Sequence, residues 1–186
     1  MMSNFDKSFD EMLNLEISGP YNALHKNKGE NGYTFMGIYE KANPNWKGWE
    51  LIYKYLDIFQ NINKASYECY NDIVLNEFVK EFYEKNFWDK LRLNEIINNR
   101  IADLIFKFAV NTGIKRAVIY TQQIIDTKQD GIIGNHTIKA LNKIDEKYFE
   151  KEYKDKFANF YKSLVKINPN QYSHFLNGWL NRIKNS

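Results

Sequence analysis

From Trp49 to the C-terminus the apolar residues recur with helical period, and this patterning limits the fold more than any other feature of the chain. The spacing predicts helices over 49–60, 66–87, 95–110, 114–126, 136–143, 146–166 and 171–184. Asn111-Thr112-Gly113 and Asp130-Gly131 punctuate them, and Pro169 separates the last two. Residues 4–16 add one more amphipathic helix upstream. Residues 17–33, ISGPYNALHKNKGENGY, are rich in Gly, Asn and Lys and read as a long irregular loop. Loops of this length in a compact domain are usually functional or disordered. Residues 34–39, TFMGIY, suit a strand or hairpin edge. The expected architecture is mostly α, with a small loop or β-hairpin insertion near the N-terminus. No internal repeat or low-complexity linker is visible, and Asn111–Gly113 is the candidate boundary between lobes.

Composition narrows the function classes. At 186 residues the chain suffices for one well-packed domain, or one with a small appendage. Thirteen Tyr, thirteen Phe and four Trp exceed what a core of this size needs, so some rings are expected to line a groove. A net charge of +3 leaves no strong footprint for nucleic acid, though it suits a polyanionic partner such as a cell-wall polymer. Cys69 is the single cysteine, which excludes an intramolecular disulfide, and it reads as a small buried apolar residue. The N-terminus lacks an apolar signal core, and no stretch approaches a membrane span. Work outside the cytoplasm would then require release by something other than a cleaved signal.

Several chemistries have no motif here. His25, His136 and His174 are scattered without metal-ligand spacing, so neither zinc nor any other cofactor is expected. No phosphate-binding glycine loop and no GxSxG elbow occurs. Asp130-Gly131 with Gly134 lacks the alternating acids of a calcium loop and reads as a turn before a helix. Carboxylate chemistry remains, and Glu16 is the best-placed acid. Phe5, Phe9 and Met12 share one narrow sector of the first helix, with Leu13 at its edge, and Glu16 falls in the middle of that sector. Ser18-Gly19-Pro20 then stops the helix. A carboxyl group held against apolar surface loses hydration of its charged form, which raises its pKa. A general acid that protonates a glycosidic oxygen near neutral pH needs that shift. Taken alone, the pattern fits better an acid that merely bonds a backbone N–H or an arginine.

The surrounding residues bear on that choice. Glu16-Ile17-Ser18-Gly19-Pro20-Tyr21 resembles the E-G-G-Y that ends the first helix of family-108 glycoside hydrolases, lysozyme-like N-acetylmuramidases of phage endolysins and bacterial cell-wall enzymes. Asn31-Gly32-Tyr33-Thr34-Phe35-Met36-Gly37-Ile38 is similar to the family's D-x-G-G-x-T-x-x-G-I, and FYEKNFWDKL (82–91) to its aromatic segment. The C-terminal part resembles the predicted peptidoglycan-binding region that commonly follows. There, Asn111-Thr112-Gly113, Ala117, Gln122, Asp130-Gly131-Ile132-Ile133-Gly134-Asn135-His136-Thr137 and Gly178-Trp179-Leu180-Asn181-Arg182 follow its pattern in order. Three departures stand out. Ile-Ser-Gly-Pro replaces the double glycine, Gly29 stands where an Asp is expected with Glu30 one position nearer, and Lys107 replaces an acid four residues before Asn111.

The resemblance implies a lysozyme-like helical fold that hydrolyses the β-1,4 bond between N-acetylmuramic acid and N-acetylglucosamine. It implies Glu16 as general acid, with Glu30 or Thr34 orienting water on the opposite face of the sugar. Flat rings suit pyranose faces and amides suit N-acetyl groups, so Tyr21, Tyr33, Trp88, Asn111 and Gln122 are the expected substrate-binding residues. Trp46, Trp49 and Trp179 read as structural. Residues 1–108 would form the muramidase region and 109–186 a helical peptidoglycan-binding region packed with it as one unit. The expected partner is the peptidoglycan glycan strand, met by a monomer without nucleic acid or stable membrane insertion. Synthesis in the cytoplasm and holin-like or other signal-independent release to the periplasm or cell wall would serve phage lysis, secretion or wall remodelling. The alternative is a catalytically impaired module that binds peptidoglycan or a protein partner.

Overall fold

Helix α1 (Asn4–Glu16) buries Phe5, Ser8, Phe9 and Met12, a single stripe at helical spacing. The computed structural model describes residues 4–17, 19–27 and 29–186. The chain divides into two units, Met1–Asn86 and Phe87–Ser186, each with its own core. Ser18, part of the turn expected to stop α1, lies outside the described residues.

In the first unit the loop expected over 17–33 carries a strand. β1 (Leu24–His25), β2 (Thr34–Phe35) and β3 (Ile38–Tyr39) form an antiparallel sheet in sequence order. Leu24 lies opposite Phe35 and His25 opposite Thr34, while Phe35 faces Ile38 and Thr34 faces Tyr39. Side chains directly opposite one another share a face of the sheet. Leu24, Phe35 and Ile38 therefore make the buried face, and His25, Thr34 and Tyr39 the other. A strand of two residues is too short for periodicity to reveal; pairing across nine and eleven positions creates it. The β2–β3 connection is a two-residue turn, Met36-Gly37, with positive φ at both positions (46° and 82°), which suits the twist of a hairpin.

Three helices complete this unit: α2 (Gly48–Phe59), α3 (Ile62–Asn71) and α4 (Ile73–Tyr83). The single helix expected over 66–87 is thus corrected to two, with a further π-helical turn at Glu84–Trp88. The break is chemical. Asp72 leaves the helical region (φ −76°, ψ 117°) and its carboxylate caps α4 by accepting from the Leu75 N–H at 2.8 Å. The same carboxylate accepts the Tyr55 hydroxyl at 2.7 Å. Trp46 and Trp49 are structural: they meet edge to face at 5.1 Å and donate to the Phe78 and Asn43 carbonyls.

The second unit is built on α5 (Asn99–Thr112), α6 (Ile114–Ile124), α7 (Asn135–Leu141) and the long α8 (Glu146–Ile167). Phe108 of α5 stacks on Phe157 of α8 at 4.0 Å, and the buried Tyr153 hydroxyl donates to the Ala117 carbonyl of α6. The last expected helix is subdivided. Asn168 caps the short α9 (Pro169–Tyr172), a 3-10 turn follows at Ser173–Phe175, and α10 (Leu176–Asn185) ends the chain. Trp179 of α10 stacks on Tyr161 at 4.7 Å, a structural role. Asp130-Gly131 forms the turn before α7. Among the described residues no helix is long and apolar enough to cross a membrane.

Candidate active site

The stripe that begins at Phe5 does not stay buried to the end of α1. Glu16, its last member, is exposed and stands at the lip of a cavity of about 370 Å³. The reading of this carboxyl group as held against apolar surface is corrected accordingly: the apolar face ends at Met12, one turn before the helix does. The other lining residues are Ile17, Asn22, Ala23, His25, Asn27, Met36 and Gly37. Glu16 is the one carboxylate among the described lining residues. The two amides and the imidazole of this lining can hydrogen-bond hydroxyl and acetamido groups, with Ile17, Ala23 and Met36 supplying apolar surface beside them.

Each wall of this cavity is held by a long-range hydrogen bond. The Met36 N–H donates to the Ala23 carbonyl at 2.8 Å, and the buried Tyr83 hydroxyl donates to the Met36 carbonyl at 2.8 Å. Burial and the Glu16 charge both push the Tyr83 phenol upward in pKa, so it stays protonated and keeps donating. Ser66, fully buried on α3, bridges the opposite wall. Its hydroxyl donates to the Pro20 carbonyl at 2.6 Å and accepts from the Leu24 N–H at 2.9 Å. His25 Nδ1 lies 3.1 Å from the Asn22 carbonyl, which can only accept, so Nδ1 carries the proton.

The expected site residues separate into two groups. Glu30 is half-buried and accepts from Asn27, a lining residue, at 3.0 Å. Thr34 is 9% exposed and shares its sheet face with the lining residue His25. Tyr21 is 57% exposed, its ring 5.3 Å from that of Tyr67, which is 42% exposed. Tyr33 is half-buried and meets Tyr53 edge to face at 6.1 Å. Its N–H donates to Glu40, whose other carboxylate oxygen takes the Tyr53 hydroxyl at 2.6 Å. That hydroxyl and the Tyr33 N–H hold the Glu40 carboxyl below its usual range.

The other three expected binders lie in the second unit. Trp88 is 1% exposed, packs on Phe106 and donates to Asn94, so the ring has no face left for a sugar. Gln122, also 1% exposed, uses both ends of its amide on the Asp130–Ile132 turn. Its nitrogen donates to Asp130 and the Ile132 carbonyl, and its oxygen accepts from the Gly131 N–H. Asn111 donates to the Lys107 carbonyl and accepts from Arg182, tying α5 to α10. Stacking on a sugar by Trp88 and amide recognition by Gln122 are therefore corrected to core roles. Lys107, which replaces an acid, is buried and pairs with Asp103 at 2.9 Å.

Sequence reasoning missed Asn22, His25 and Asn27 as lining residues, Ser66 and Tyr83 as supports of the surrounding backbone, and Tyr67 as the ring beside Tyr21. Only the clustering of the first three in the Gly/Asn/Lys-rich segment was a usable signal. Among the described residues no three His, Cys, Asp or Glu side chains gather into a metal-holding group.

A mostly helical fold with a short antiparallel sheet, and an acid at the end of the first helix beside a cavity, defines a lysozyme-like protein. The chain belongs to the glycosyl hydrolase 108 family, whose sequence model matches residues 15–113. A predicted peptidoglycan domain matches residues 115–184. Among solved structures, that of Brucella abortus SagA is similar in fold, with a TM-score of 0.67 at 22% identity over 97% of this chain and 89% of that one. No curated protein sequence matches the chain.

Proposed function

We propose that this protein is an N-acetylmuramidase that cleaves the β-1,4 bond of peptidoglycan with Glu16 as general acid. The observation that carries the reading is the exposed carboxylate at the lip of the 370 Å³ cavity, inside the segment that matches the hydrolase family. As the bond breaks, Glu16 protonates the leaving oxygen while positive charge develops on the sugar ring. Glu30 or Thr34 orients the attacking water. Glu30 is linked to the cavity through Asn27, and Thr34 through its cross-strand neighbour His25. Tyr21 supplies an exposed ring to a pyranose face, with Tyr33 further along the sheet. We place the functional division near residue 108, closer to the point between 113 and 115 where the two family matches meet than to the structural division after Asn86. The protein acts on the cell wall as a monomer.

Peptidoglycan turbidity and zymogram assays on wild type and Glu16→Gln test this. Wild type clears the wall and releases muropeptides, and Glu16→Gln is slower by about a hundredfold or more. A wild type that binds the wall and releases nothing defeats the enzyme reading. A Glu16→Gln variant that lyses like wild type defeats the assignment of the acid. The second reading, a binding module with impaired catalysis, draws on the absence of any second carboxylate among the described lining residues.

A further inference from the structure

The second unit holds a cavity of its own at the corner between α5 and α6. It encloses about 330 Å³ and is lined by Thr112, Gly113, Lys115, Arg116, Ile119 and Tyr120. Two cations and no acid line it. Among the described residues neither Lys115 nor Arg116 has an ion-pair partner. Both sit in the first turn of α6, where positive charge works against the helix dipole, so helix stability does not account for them.

The Arg116 side chain is nevertheless held in place. The Arg116 guanidinium lies 4.0 Å over the Phe160 ring, and its Nη1 donates to the Thr112 carbonyl at 3.2 Å. That leaves a braced planar fork with further N–H donors, the geometry that takes a carboxylate in two parallel bonds. The Lys115 stem passes so close to Gly131 that a Cβ there would come within 3.0 Å of its Cγ. Gln122 in turn grips the Gly131 N–H, which gives that buried glutamine a purpose beyond the turn itself. Ile119 and Tyr120 form an apolar wall beside the two charges, and Lys156 Nζ lies 5.9 Å from the centre of the Tyr120 ring.

We propose that this cavity binds the peptide stems of peptidoglycan, with Lys115 and Arg116 gripping a stem carboxylate and Ile119 and Tyr120 covering its aliphatic side chains. The proposal rests on the reading of peptidoglycan as substrate and adds a ligand class to it. A glycan strand alone offers hydroxyl and acetamido groups; the peptide stem supplies the anion beside short apolar groups that this lining complements.

The test uses the full chain carrying Glu16→Gln, so that binding is read without turnover. Retention is measured on acid-washed wall freed of phosphate polymers, on the same wall after an amidase has removed the stems, and on wall with its phosphate polymers intact. A Lys115→Glu/Arg116→Glu pair should lose roughly tenfold in affinity for peptide-bearing wall and nothing for stem-free glycan. Lys115→Arg, which keeps the charge and leaves the Arg116 fork in place, should retain most of the binding. Thermal unfolding of each variant confirms that it is folded. Equal binding by the charge-reversed and parent chains overturns the proposal, as does equal retention on stem-bearing and stem-free glycan. Retention confined to wall that keeps its phosphate polymers overturns it in favour of phosphate. Each of these outcomes leaves the lysis assay on wild type untouched. A chain that neither binds nor cleaves any wall preparation removes both readings together.

Discussion

The Tyr83 hydroxyl reaches across from α4 to the carbonyl of Met36, 47 residues earlier in the chain, and closes a 2.8 Å hydrogen bond against the β2–β3 turn. Gly37 makes that approach possible. A Cβ at position 37 would stand 2.5 Å from the Tyr83 oxygen, and φ of +82° disfavours any other residue there. Because Met36 and Gly37 both line the cavity at Glu16, this contact sets the shape of one of its walls.

Gly37→Ala should therefore destabilise the chain by about 1–3 kcal/mol, combining backbone strain with a steric clash. Tyr83→Phe should cost about 1 kcal/mol, the price of a buried hydrogen bond whose acceptor is left bare. In the Tyr83→Phe background, Gly37→Ala should cost less than it does alone, since the clashing oxygen is gone. Urea unfolding of the four proteins measures the cycle. Strict additivity would mean that the two residues are not coupled as described.

Tyr67 is expected to act with Tyr21 as an exposed aromatic ledge. Tyr67→Ala should raise KM for the wall roughly fivefold with little change in kcat, and Tyr67→Phe should behave as wild type. A kcat loss at constant KM would assign the pair a different role.

The second unit should show a defined acid sensitivity. Arg100, aided by Lys154, holds the half-buried Glu150 carboxyl down at about 2 from an ordinary 4.5. A carboxyl group with a depressed folded pKa stabilises above its unfolded value, and that contribution is lost as pH falls through the folded value. Glu150→Gln should then cost on the order of 1–3 kcal/mol at pH 7 after allowance for solvent screening. The gap from wild type should shrink between pH 4.5 and pH 2. Unfolding curves at several pH values read this directly, and a constant gap contradicts it.

The elements written in local chemistry were legible in advance. Residues 4–16 and 114–124 lie where the apolar period put them, and the turn at Asp130-Gly131 lies where its glycine put it. The split at Asp72 was legible in principle, since an acid three residues before Leu75 is a helix cap. Periodicity missed it because the apolar stripe continues on both sides of the break.

The roles of single side chains were another matter. A tryptophan, an asparagine and a glutamine that suit a sugar site on chemical type are spent on Asn94, Arg182 and the Asp130–Ile132 turn. Asn22 and His25 become cavity walls only because Ser66 and Tyr83, more than forty residues away, fix the backbone around them. Helix formation is governed by contacts within about four positions, so it shows in the order of residues. Whether a polar group faces a ligand or is consumed by its own fold depends on partners that only the folded chain brings within 3 Å. Glu16 marks the border between the two: its place on the helix follows from its position in the chain, and its exposure at the cavity from everything packed around it.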